Sequence, residues 1–152
     1  MTQSLQSELF DKQVRRYIYE HFVQHRQAPT VLQCAQALAS DALPIQAAFR
    51  RLAEAKALVL QNNGEILMAE PFSVVPTAFY VEVGTNAWWS NCMWDALGIP
   101  AMLKRDARIV TACGCCSDAM MVEIRDGKLF NATGVVHFAI PPKDWWKDVV
   151  FA

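Results

Sequence analysis

An α+β fold in two parts is expected: a winged helix-turn-helix-like domain over residues 1–75, then a small mixed αβ domain over residues 76–152. Three observations predict it. Helical periodicity fills most of residues 11–56 and gives way to short apolar runs about an Asn-Gly turn. Pro71 and Pro76 bracket a linker. Beyond them, strand-like segments dominate around one helical stretch.

Each element follows from local pattern. Residues 11–25 place Val14, Tyr17, Ile18 and Phe22 on one helical face, with Arg15, Arg16 and Glu20 off it. Pro29-Thr30 opens a second helix, with Thr30 as N-cap and Leu32, Ala35 and Leu38 as its inner face. A turn at residues 40–44 leads to a third helix that starts at Pro44. It turns Ile45, Ala48, Phe49, Leu52 and Ala55 inward, and Arg50, Arg51, Glu54 and Lys56 outward. Residues 58–60 and 66–68 flank Asn62-Asn63-Gly64 as a hairpin. Three helices followed by a hairpin is the winged helix-turn-helix order. In the second half, strands are expected at 78–83, 107–112, 119–125 and 134–140. A further strand, Lys128-Leu-Phe130, should pair across Asp126-Gly127. A helix is expected over 86–97, capped by Asn86 and ended by Gly98-Ile-Pro100.

Composition narrows the function classes. The 152 residues are 53% apolar and 19% charged, enough for a sizeable core. A net charge of −1 argues against a protein whose affinity comes from a large basic surface. Arg50 and Arg51 on the third helix are the candidate nucleic-acid contacts. That helix begins with an almost uncharged turn, which favours a scaffold or dimer surface over DNA binding. No apolar run has the length of a membrane span. Residues 1–8 lack the basic start and apolar core of a signal peptide, so a cytoplasmic location is expected. There the five cysteines are expected as thiols, and an odd number leaves one unpaired in any intramolecular scheme.

Two cysteine constellations carry chemistry. Cys92-Met-Trp-Asp95 sets a thiol and a carboxylate at i and i+3 of a helix, where they share a face. A carboxylate there can take the thiol's proton and later return it to a leaving group. The plainer reading is a small buried Cys beside a solvated Asp. Trp94 could wall a desolvated pocket around the pair. Cys113-Gly-Cys115-Cys116 puts three thiols into four residues at a strand end, a pattern suited to soft-metal capture. It falls short of a structural zinc site, which needs four ligands; the plainer reading is two buried cysteines and one exposed. His21 and His25 have i, i+4 ligand spacing but no third partner, and a solvated helix face accounts for them. His137 is expected as a structural residue of its strand.

Trp88-Trp-Ser-Asn-Cys92-Met-Trp-Asp95-Ala-Leu-Gly-Ile-Pro100-Ala-Met-Leu resembles the core of the organomercurial (alkylmercury) lyase family. That core has an aromatic-rich helix with C-A-x-D and then a short run to F/I-P-A-L. Arg105-Asp-Ala-Arg108-Ile-Val-Thr-Ala-Cys113 resembles the strand that follows it, and Gly134-Val-Val-His-Phe-Ala-Ile-Pro141 a later one. The resemblance is most specific over 88–113. It implies a cytosolic enzyme with an αβ lyase core that cleaves a carbon–mercury bond to a hydrocarbon and Hg(II).

On that resemblance, Cys92 is the first catalytic cysteine, Asp95 the acid/base, and Cys113 a structural cysteine near the site. No cofactor is implied, mercury being substrate and product. The implied partners are an organomercurial, small thiols that release Hg(II), and an acceptor for that ion. The family's second catalytic cysteine follows the strand near Pro141-Pro142, whereas no cysteine follows Cys116 here. Three readings stay open: a lyase fold incomplete at its C-terminus, a lyase in which Cys115 or Cys116 supplies the second thiol, or a non-enzymatic binder or sensor. The binder would hold soft metals such as mercury, copper or zinc through the Cys113, Cys115 and Cys116 cluster, whereas Cys92 binds mercury in the lyase readings. An incomplete sheet would expose an edge open to a second copy, so a homodimer is an expectation as well.

Overall fold

The computed structural model describes residues 3–138 and 140–147. The chain divides into two compact units, Met1–Pro76 and Thr77–Ala152. Among the described residues there are four α-helices, eight strands in antiparallel pairings, and a terminal 3-10 turn, an α+β composition.

The first unit holds α1 (Gln3–His25), α2 (Val31–Ala37) and α3 (Ala42–Glu54), then β1 (Val59–Leu60), β2 (Ile66–Ala69) and β3 (Phe72–Ser73) in antiparallel order. Where α1 packs on α3, Val14, Ile18 and Phe22 of α1 and Ile45, Ala48 and Phe49 of α3 are all fully buried. Phe22 stacks on Phe72 with ring centroids 4.9 Å apart. Thr30 caps α2 in a reciprocal box: its hydroxyl accepts from Gln33 N–H at 3.2 Å, and its own N–H donates to Gln33 Oε1 at 2.8 Å.

The buried face of α2 is Val31, Cys34 and Ala35, and Leu32 is 72% exposed, so the expected inner face through Leu32 is corrected. The helix is only seven residues long, and Val31 at its first turn packs inward in place of Leu32. Ala55, expected inside, is an exposed C-cap. His21 is buried, not solvated, and its Nδ1 lies 3.0 Å from Gln27 O.

The second unit builds an antiparallel sheet in the order β5-β4-β6-β7-β8: β4 (Phe79–Val83), β5 (Asn86–Ser90), β6 (Ala107–Ala112), β7 (Ala119–Arg125) and β8 (Lys128–Asn131). Helix α4 (Met93–Leu103) packs on β4, β5 and β6. Val81, Val83, Trp88, Ala96, Ile99, Ile109 and Val122 form the core between helix and sheet. Alternation sets the faces: along β6, Ala107 and Ile109 are buried while Arg108 and Val110 are exposed.

Three expectations for this unit are corrected. Residues 86–90 are a strand, not the start of a helix. Gly84 (φ +61) and Thr85 turn the chain so that Val83 pairs with Asn86, and period-2 burial of Trp88 and Ser90 fixes β5. The helix begins later, with Cys92 as its N-cap, and runs through Pro100 to Leu103. Pro100 is buried within the helix, and the chain leaves it only at Lys104, in the left-handed region at φ 52. Residues 134–138 form no strand, because β8 already pairs with β7 and Gly134 (φ +103) turns the chain away. His137 is therefore exposed and off the sheet, and Ala139 in the expected strand lies outside the described residues.

Candidate functional site

The first thiol sits where strand becomes helix. Cys92 has extended backbone (φ −150, ψ 179), and its Sγ accepts from Asp95 N–H at 3.5 Å. A sulfur thus takes the N-cap role that an oxygen usually fills. Asp95 lies in the first turn of α4, where the helix dipole favours a carboxylate. Both side chains are half-buried.

The chain entering this turn is held by hydroxyls. Thr77 Oγ1 donates to Ser90 O at 2.6 Å and accepts from Phe79 N–H at 3.1 Å. Ser90, fully buried, sets its Oγ 3.4 Å from both Phe79 O and Cys92 O.

Burial pushes the Cys92 thiol up to about 11, and the neighbouring Asp95 carboxylate adds to that, against the opposing pull of the Asp95 backbone N–H. Burial likewise raises Asp95 above the usual carboxylate value, opposed by the Asn91 amide and by Cys92. The pair is consequently a neutral thiol beside a carboxylate of raised basicity. Such a pair can pass a proton from sulfur to oxygen when a thiophilic electrophile arrives.

Asn91 has no motif to announce it, and its place beside Asp95 emerges only from the β5–α4 turn. Both of its amide polar atoms are buried without a hydrogen bond of good geometry. Trp94, expected to wall a desolvated pocket, is 68% exposed; one residue from Asp95, it falls on the outer side of the helix.

The second constellation occupies the β6–β7 turn. Cys113 N–H donates to Asp118 O at 2.8 Å, Ser117 N–H donates to Cys113 O at 2.9 Å, and Ser117 closes the turn at φ 60. The backbone N–H groups of Cys115 and Cys116 donate to the Cys113 sulfur, and the Cys116 and Cys115 thiols join them. Together they pull Cys113 down to about 7. The backbone N–H of Asp118 favours the Cys116 thiolate, but side-chain hydrogen bonds to Asp118 and Cys113 outweigh it and raise the Cys116 thiol. Cys115 and Cys116 are exposed.

Among the described residues no three His, Cys, Asp or Glu side chains converge as a metal site, so Cys113, Cys115 and Cys116 are not gathered as a three-ligand centre, with or without Cys92. Cys113 and Cys116, three residues apart on that turn, influence each other's acidity. A cleft of about 510 Å³ between the C-terminal end of α4 and the β7–β8 turn contains none of these cysteines.

In the first unit, Arg51 is tied to Asp11 through Nε–Oδ2 at 2.8 Å and Nη2–Oδ1 at 2.6 Å. The bidentate pair ties its guanidinium to α1. Arg50 is exposed. Among the described residues no helix is long and apolar enough to cross a membrane.

A family model described as alkylmercury lyase matches residues 72–152. A solved structure, the crystal structure of the mercury-bound form of MerB2, is similar with a TM-score of 0.66 and 21% identity. The similarity covers 80% of this chain and 58% of that one, so the chain spans little more than half of that structure. No curated protein matches.

Proposed function

The chain belongs to the alkylmercury lyase family, and from that premise we propose that it cleaves carbon–mercury bonds by protonolysis, with Cys92 as the mercury-binding thiol and Asp95 as the proton carrier. The observation that carries this reading is the placement of Cys92 and Asp95 together at the first turn of α4, within the matched segment: the Asp95 N–H donates to Cys92 Sγ, and thiol and carboxylate shift each other's acidity.

Asp95 accepts the Cys92 proton as sulfur bonds to mercury and the small thiolate that accompanied the organomercurial leaves, so a half-buried thiol need not ionise beforehand. The carboxylic acid then delivers that proton to the mercury-bound carbon as the carbon–mercury bond breaks. The bonding pair goes to the C–H bond, the hydrocarbon leaves, and Cys92 holds Hg(II). Thiolates suit this soft ion. Two molecules of a small thiol release it as a bis-thiolate; one of their protons restores the Cys92 thiol and the other goes to solvent. No cofactor enters these steps. Unit 1 serves in this reading as a winged-helix-like scaffold, and the Arg51–Asp11 pair weighs against a DNA-reading role.

Incubation with phenylmercury and excess thiol tests the assignment. Benzene release is expected from the wild type and about 10²–10⁴-fold slower release from Asp95→Ala, the usual contribution of a positioned acid. A wild type that binds mercury but releases no benzene overturns it.

A further inference from the structure

We propose that Cys113 and Cys116, in the β6–β7 turn, form a two-thiol site for a soft, two-coordinate metal ion, with Hg(II) as its probe, separate from Cys92. Four observations carry it. Cys113 and Cys116 stand three residues apart in one tight turn, closed by the Ser117 N–H to Cys113 O bond at 2.9 Å, and each thiol shifts the other's acidity. The backbone N–H groups of Cys115 and Cys116, the following residues of the same turn, favour the thiolate at Cys113. The turn is locked by the Cys113–Asp118 and Ser117–Cys113 backbone bonds, so the two cysteines are held on one turn before any metal arrives. The turn is also open to solvent, with Cys116 exposed and Cys113 partly so, which an acceptor of thiol-bound metal needs.

Two sulfurs suffice for this chemistry. Hg(II) prefers two thiolates in a linear arrangement, so the absence of a three-ligand cluster among the described residues is no obstacle. Exchange balances without an oxidant or reductant. A bis-thiolate of a small thiol, RS–Hg–SR, meets the Cys113 thiolate and the Cys116 thiol. Two new sulfur–mercury bonds form and two break, and the products are the Cys113–Hg–Cys116 bridge, RS⁻ and RSH. Cys115 is vicinal to Cys116 and contributes its N–H in favour of the Cys113 thiolate; its sulfur is not a ligand in this assignment.

The full-length chain with Cys92→Ser, reduced and titrated with Hg(II) in excess 2-mercaptoethanol, provides the test. Retained metal is counted by native mass spectrometry, and the thiolate-to-mercury absorption band is followed in parallel. One tightly held Hg(II) per chain is expected. Adding Cys113→Ser or Cys116→Ser should weaken retention about 10²–10⁴-fold, the advantage of an intramolecular second ligand, whereas adding Cys115→Ser should leave it unchanged. No retained Hg(II) in Cys92→Ser overturns the site, as does retention that survives Cys113→Ser or Cys116→Ser. Loss on Cys115→Ser alone overturns the assignment of ligands. Serine at these partly exposed turn positions spares the core, and an unchanged far-UV circular dichroism spectrum verifies the fold. The inference stands apart from the lyase reading: metal capture is measured without Cys92, and benzene release without reference to the turn.

Discussion

Cys92 and Cys113 are thiols of opposite character, and their surroundings account for it. Burial holds Cys92 near 11, while backbone donors bring Cys113 near 7. Alkylation by iodoacetamide, mapped by mass spectrometry, should therefore label Cys113 half-maximally near pH 7 and Cys92 only as pH approaches 11. Equal rates at pH 7 would contradict the environments described. Burial first, and then the Glu65 carboxylate, push Cys34 up to about 12 from an ordinary 9.0. A thiol with a raised folded value contributes stability that is fully present below the unfolded value and lost as pH rises toward the folded one. Melting temperature should thus fall from pH 9 to 12, and the slope should be shallower in Cys34→Ala. Asn91 gives a further prediction. Its amide opposes the upward shift of Asp95, so Asn91→Ala should raise Asp95 further. The carboxylate must be unprotonated to accept the Cys92 proton, so the acidic limb of the kcat/KM profile for benzene release should move to higher pH. An unmoved limb would separate Asn91 from the proton path.

The ends of the helices show how far local chemistry reaches. Thr30 was legible as an N-cap because Thr before an apolar-periodic run, with Gln three residues on, is a local signature, and both halves of that box form. Thr30→Ala should cost about 1 kcal/mol in urea unfolding. The start of α4 was not legible in the same way. Asn86 looks like a cap, yet Gly84-Thr85 turns the chain into a hairpin and Trp88 is drawn under the helix, so the strand wins. Cap propensity is a preference of about 1 kcal/mol, smaller than the burial of an aromatic side chain. The other end was misjudged for a similar reason: Pro100 is buried in the core of its unit, and packing carries the helix one turn past it. Lys104 then takes a left-handed conformation at φ 52 that a β-carbon disfavours. Lys104→Gly should raise stability by about 0.5–1 kcal/mol, and a lowered urea midpoint would show that the Lys104 side chain matters more than its backbone.

Across the molecule, each unit has its own core, and each should respond to truncation within it. Phe22 is fully buried against Phe72 in the first unit, and Ile109 is fully buried between sheet and helix in the second. Phe22→Ala should cost about 3–5 kcal/mol and Ile109→Ala about 2–5 kcal/mol. Hydrogen exchange should report the loss among amides of the unit that carries the change.

What the sequence determined by itself was whatever is encoded over a few neighbouring residues. The α+β composition, the periodic faces of α1 and α3, the Asp126-Gly127 hairpin and the spacing of Cys92 from Asp95 all belong there, because helical and strand periodicities and turn chemistry act locally. The tertiary structure decided what depends on competition between distant partners. It turned residues 86–90 into a strand paired with 79–83, left 134–138 without a strand partner, and bound Arg51 to Asp11. It also aimed the N–H groups of Cys115 and Cys116 at Cys113 and set Asn91 beside Asp95. The spacing of thiols can be read along a chain, but their acidity is set by burial and by the direction of hydrogen-bond donors, and both exist only once the chain has folded.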